Sequence, residues 1–133
     1  MGKARLSLGE SGTLSMGLKG VLLCLALAAP AWAWAHAALV KSAPAQRAVL
    51  YRAPAKIQLW FNERLEPRYS TFSLLDAAGK TVKIGDVAVA GDDPKSLAAT
   101  INALPPGRYV VKFRVLSTDG HVVQNQFNFT IRH

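Results

Sequence analysis

The sequence predicts a small all-β domain, an antiparallel sandwich or Greek-key barrel of about seven strands. Three observations carry this. Apolar residues alternate with polar ones in the longer segments. Turn signals recur between them. Nothing after residue 36 combines helical spacing with caps. The alternation is plainest where Ile57, Leu59 and Phe61 interleave with Lys56, Gln58 and Trp60, and where Tyr109, Val111, Phe113 and Val115 interleave with Lys112 and Arg114. Phe127, Phe129 and Ile131 repeat it against Asn128, Thr130 and Arg132. Such a pattern turns one strand face to a core and the other to water. Shorter strands are predicted at 38–41, 71–75, 81–84 and 97–101. They are separated by Ser42-Ala43-Pro44, Asp76-Ala77-Ala78-Gly79, Gly91-Asp92-Asp93-Pro94 and Pro105-Pro106-Gly107. Tyr109, just after Pro-Gly, reads as a core or corner residue.

The first 35 residues read differently. Lys3, Arg5 and Lys19 are followed by the apolar run Gly-Val-Leu-Leu-Cys-Leu-Ala-Leu-Ala-Ala, then Pro30 and the small-residue pattern Ala33-Trp34-Ala35. This order is that of a secretory signal peptide, residues 1–35, which leaves residues 36–133 as one exported domain. The run is short for a membrane span, which needs about 20 apolar residues. Cuts after Ala33 or Ala37 compete, as does retention of the segment as an anchor. In a bacterial chain the destination is the periplasm.

Cleavage would change the chemistry available. Cys24, Met1 and Met16 all lie in the leader, so residues 36–133 hold no sulfur ligand and no disulfide. The whole chain has 16 Lys+Arg and 8 Asp+Glu. Without the leader's three basic and one acidic residues, 13 and 7 remain, a net +6. The cations are dispersed and not interleaved with aromatics, which disfavours nucleic acid as a partner. Arg64 and Arg68 read as a solvated face, His133 as a mobile tail, and the sequon Asn128-Phe129-Thr130 as part of a strand. There is no Ser-His-Asp logic, no usefully spaced pair of carboxylates and no phosphate-binding glycine loop.

A cut after Ala35 makes His36 the first residue, and a terminal histidine offers its α-amine and imidazole to one ion together. Ser117-Thr118-Asp119-Gly120-His121 follows the long strand near residue 116. In extended backbone Asp119 and His121 point to the same side, so a carboxylate and a second imidazole are available, although Asp-Gly is also a common turn pair. The combined set is rich in nitrogen and suits tetragonal Cu(II), while the absence of sulfur disfavours Cu(I).

His36-Ala37-Ala38-Leu39-Val40-Lys41-Ser42-Ala43-Pro44, the strand ending Trp60-Phe61-Asn62-Glu63, Leu104-Pro105-Pro106-Gly107-Arg108-Tyr109 and Ser117-Thr118-Asp119-Gly120-His121, in that order, resemble the CopC/PcoC-type periplasmic copper resistance proteins. The resemblance implies an immunoglobulin-like or cupredoxin-like Greek-key barrel with one Cu(II) at one end. Its ligands would be the amine and imidazole of His36, the imidazole of His121 and a carboxylate from Asp119. Glu63 would ligate weakly or orient a ligand from behind, unless it simply closes its strand. The lack of methionine in residues 36–133 places the chain with members that hold only Cu(II). The implied role is sequestration or delivery by a monomer, not turnover, beside a separate inner-membrane copper transporter of the CopD type. Two other readings stay open: a copper-dependent oxidative enzyme with an N-terminal histidine brace, and a metal-free sandwich that binds other proteins. Trp60, the only tryptophan after residue 35, would report metal by quenching.

Overall fold

A computed structural model describes residues 37–133. They form two sheets packed face to face. The first has the order β1-β3-β7-β6, from β1 (Leu39–Ala43), β3 (Lys56–Phe61), β7 (Asp93–Thr100) and β6 (Ala88–Ala90). The second has the order β2-β9-β8-β4-β5, from β2 (Val49–Leu50), β9 (Val122–Ile131), β8 (Gly107–Leu116), β4 (Thr71–Leu75) and β5 (Thr81–Val82). The chain crosses between sheets after β1, β2, β3, β5 and β7, as in a Greek-key sandwich. All pairings are antiparallel except the two-residue pairing of β2 with β9, which is parallel.

The alternation read from the sequence is the core. Ile57, Leu59 and Phe61 meet Leu97, Leu74, Val111, Val115 and Phe129, all nearly devoid of solvent contact. Phe61 and Phe113 meet edge-on across the two sheets, 5.4 Å between centroids, and Tyr109 stacks on Phe129 at 5.6 Å. Both geometries suit the ring quadrupole. Tyr109 is the corner residue its position suggests. Its hydroxyl donates to the Pro105 carbonyl at 2.5 Å, tying the β7–β8 connection to the strand it feeds. Burial pushes the phenol up from its usual range, with the Asp76 carboxylate adding to the effect.

The boundaries differ from the expected ones in instructive ways. There are nine strands among the described residues, because β2 and β6 span two and three residues and are too short to show a period. β5 stops at Val82. β7 starts at Asp93, so only Gly91-Asp92 turns; Pro94 precedes the first β3 pairing at Ser96, where its missing N–H is not needed by that ladder. β9 begins at Val122, five residues before the alternation becomes visible, since Gln124, Asn125 and Gln126 are all exposed.

Candidate metal centre

β8 and β9 pair along their whole ten-residue lengths, from Gly107↔Ile131 to Leu116↔Val122. Residues 117–121 close this hairpin. The Ser117 N–H donates to the His121 carbonyl at 2.9 Å and the Gly120 N–H to the Ser117 carbonyl at 2.9 Å. Gly120 adopts φ +94°, the left-handed conformation that lets a three-residue loop match strand twist. The expected extended backbone is therefore a turn. The turn still brings the two side chains together: His121 Nδ1 lies 3.1 Å from Asp119 Oδ2, with both groups substantially exposed.

Ser117, a site residue that sequence reasoning missed, organises the turn. It is 1% exposed. Its hydroxyl donates to Asp119 Oδ1 and accepts from the His121 N–H at 3.3 Å. That N–H also lies 3.4 Å from Asp119 Oδ1. The Ser117 hydrogen bond, with help from His121, outweighs the opposing desolvation and holds the Asp119 carboxyl below its ordinary range. A second buried serine, Ser70, donates to the Leu116 carbonyl at 3.3 Å and accepts from the Leu116 N–H at 3.1 Å. The Ser-x-Asp spacing signals a local hydroxyl–carboxylate bond in retrospect; nothing local in the sequence signals Ser70, whose partner lies 46 residues away.

Two further segments converge on the turn. Residues after β3 run beside it: the Thr118 N–H donates to the Arg64 carbonyl at 2.9 Å, the Glu66 N–H to the Leu116 carbonyl at 2.8 Å, and Leu65 bridges Ser117. Glu63, half-buried, sits on this segment. Its neighbour Asn62 grips the start of the described chain, the Ala38 N–H donating to Asn62 Oδ1 at 2.6 Å and the Asn62 N–H to the Ala38 carbonyl at 3.1 Å. Ala37 is 1% exposed and shares a cleft with Leu39, Phe113, Val122, Val123 and Phe127. Ala37 and Ala38 are thus held beside the first residues of β9. His36 itself lies outside the described residues, as does the leader. Among the described residues no three His, Cys, Asp or Glu side chains gather where they could share an ion.

What the pair can do follows from its spacing. Two donors bound side by side to one ion at about 2.0–2.2 Å each lie about 3 Å apart. Asp119 and His121 are already at that separation, with one proton able to occupy the place of a cation. The class defined by fold and site is a two-sheet β protein with an exposed carboxylate–imidazole pair at a hairpin tip. The chain belongs to the CopC domain family, which matches residues 39–132. It is similar to the crystal structure of CopC from Methylosinus trichosporium OB3b, with 40% identity, a TM-score of 0.68, and 72% of this chain and 93% of that one covered. It is also similar to PcoC, a methionine-rich copper resistance protein from Escherichia coli, with 32% identity, a TM-score of 0.66, and 74% and 100% covered. The copper transport protein CutJ of Bacillus subtilis (strain 168) is 28% identical over 112 residues, which are 84% of this chain and 21% of CutJ.

Proposed function

We propose that residues 36–133 form an exported copper(II)-binding protein of copper resistance, which sequesters or hands on one ion without turnover. The observation that carries this reading is the Asp119–His121 pair at chelating distance, facing water at the tip of a rigid hairpin. In this reading residues 1–35 are removed on export to the periplasm. His36 then supplies its α-amine and imidazole beside the anchored Ala37-Ala38, and His121 and Asp119 supply the rest. Glu63, on the adjoining segment, orients a ligand or binds weakly. The oxidation state follows from the donors: residues 36–133 contain neither Cys nor Met, in contrast to the relative described as methionine-rich. Hard and borderline donors of this kind suit Cu(II). Asp119 beside His121 fills a position that oxygen chemistry would need open, which favours binding over an oxidative enzyme.

The proposed partner is a separate inner-membrane transporter of the CopD type, served by a monomer. The similarity to one part of CutJ supports it, because a domain of this kind occurs there within a larger copper transport protein.

The test is a competitive Cu(II) titration of protein starting at His36 against protein with one glycine added ahead of it. The expected result is one ion bound tightly by the first form and much more weakly by the second. Equal affinities would remove the amine from the site. Donors must shed protons to bind, so affinity is expected to fall as pH drops.

A further inference from the structure

The outer face of the second sheet has an uncompensated charge pattern. On β8, Arg108, Lys112 and Arg114 are exposed and point the same way, while Tyr109, Val111, Phe113 and Val115 are buried beneath. Their cross-strand neighbours are neutral. Arg114 stands between Thr71 of β4 and Gln124 of β9, Lys112 between Ser73 and Gln126, and Arg108 beside Thr130. Facing positions in sheets are commonly stabilised by opposite charges. Here none of the sheet's five strands contains an acidic residue. Among the described residues neither Lys112 nor Arg114 takes part in an ion pair. Thr71, Ser73, Lys112, Arg114, Gln124 and Gln126 line an open concavity on this face.

We propose that this groove docks an acidic surface of another protein, the one that gives copper to the hairpin tip or takes it away. Charge complementarity selects the occupant: two cations flanked by hydroxyls and amides match carboxylates and the backbone around them. A lipid surface fits less well, since the rings lining the groove, Phe72 and Phe113, are 4% and 5% exposed and leave no aromatic to insert. Position supplies the link to function. Arg114 is three residues from Ser117 along β8, about 10 Å at the usual strand rise. A partner seated on the groove therefore holds its own copper ligands within reach of Asp119 and His121. The field of the basic face also steers its approach and makes docking sensitive to salt.

This inference rests on the copper-binding reading for its purpose but not for its test. The 15N-labelled exported protein is titrated with an acetylated oligoglutamate peptide, and separately with vesicles rich in phosphatidylglycerol. The expected result is peptide-induced amide shifts confined to β4, β8 and β9 and abolished by salt. The double variant K112E/R114E is expected to weaken binding about tenfold or more, as loss of two charge-assisted contacts implies. The variant K56E/K95E, equal in net charge but altered on the first sheet, is expected to bind as the native protein does. Equal weakening by both variants, shifts elsewhere, or shifts produced by vesicles and not by peptide would each overturn the proposal. Cu(II) affinity is measured on the same samples. Native protein that binds peptide but not copper would defeat the copper reading and leave the groove standing. K112E/R114E with native copper affinity separates docking from metal binding.

Discussion

The two ends of β8 use the same device to opposite ends. At its start, Tyr109 is 4% exposed and gives its hydroxyl to a carbonyl four residues back. Just past its finish, Asp119 takes a hydroxyl from Ser117, two residues back, yet keeps its other oxygen at the surface beside His121. Burial pushes the tyrosine toward its neutral form, while the Ser117 hydrogen bond pushes the aspartate toward its charged form. One end satisfies a buried, neutral polar group to hold the fold. The other maintains a charge where a cation can reach it. The difference shows that a short-range hydrogen bond can serve packing at one end of a strand and hold an exposed charge at the other, according to its exposure.

The sharpest way to break this division is His121→Ala. Copper affinity should fall by more than the roughly 10–100-fold typical of losing an orienting group, because a donor itself is gone. The melting temperature of the metal-free protein should stay near native, since the imidazole is exposed. A large drop in stability would show that the tip also holds the fold. Ser117→Ala is the variant that should affect both properties. Copper affinity is expected to fall about 10–100-fold as Asp119 and His121 lose their shared anchor. Denaturant unfolding should show about 1–3 kcal/mol lost with this buried hydroxyl.

Tyr109→Phe is the mirror experiment. It should cost about 0.5–1.5 kcal/mol in denaturant unfolding and leave copper affinity unchanged. A change in affinity would mean that the two ends communicate along the strand. The smallest effects concern pH. The folded-state pKa of Tyr109 is raised, so its contribution is present below the ordinary tyrosine value of about 10 and is lost as pH rises through the folded value. Tyr109→Phe should flatten that alkaline limb. The folded-state pKa of Asp119 is lowered, so its contribution is present above about 3.9 and is lost as pH falls through the folded value. Ser117→Ala should flatten the acid limb of the metal-free protein, as read by thermal melts across the range.

The sandwich was legible where one strand face is buried. Ile57, Leu59 and Phe61, or Tyr109 through Val115, declare their period because each alternate residue meets the other sheet. The first half of β9 was not legible, because only Val123 of its first five residues packs partly against the core and the strand is held by its pairing with β8. At the site, the motif 117–121 was visible but its conformation was not. Asp119 and His121 were expected to align through extended backbone; a left-handed Gly120 aligns them instead. Asn62 and Ser70 escaped notice because their work depends on chain segments 24 and 46 residues away.

The burial of Ala37 has a consequence for how this protein ages. Trimming from the amino terminus meets resistance once it reaches a residue that is 1% exposed and followed by the Ala38–Asn62 clamp. The described core begins at Ala37, so a cut just ahead of it leaves every described core residue in place. A molecule cut between His36 and Ala37 would keep every described core residue and yet lack the proposed copper chelate. The described packing thus begins at the residue beside the proposed chelate.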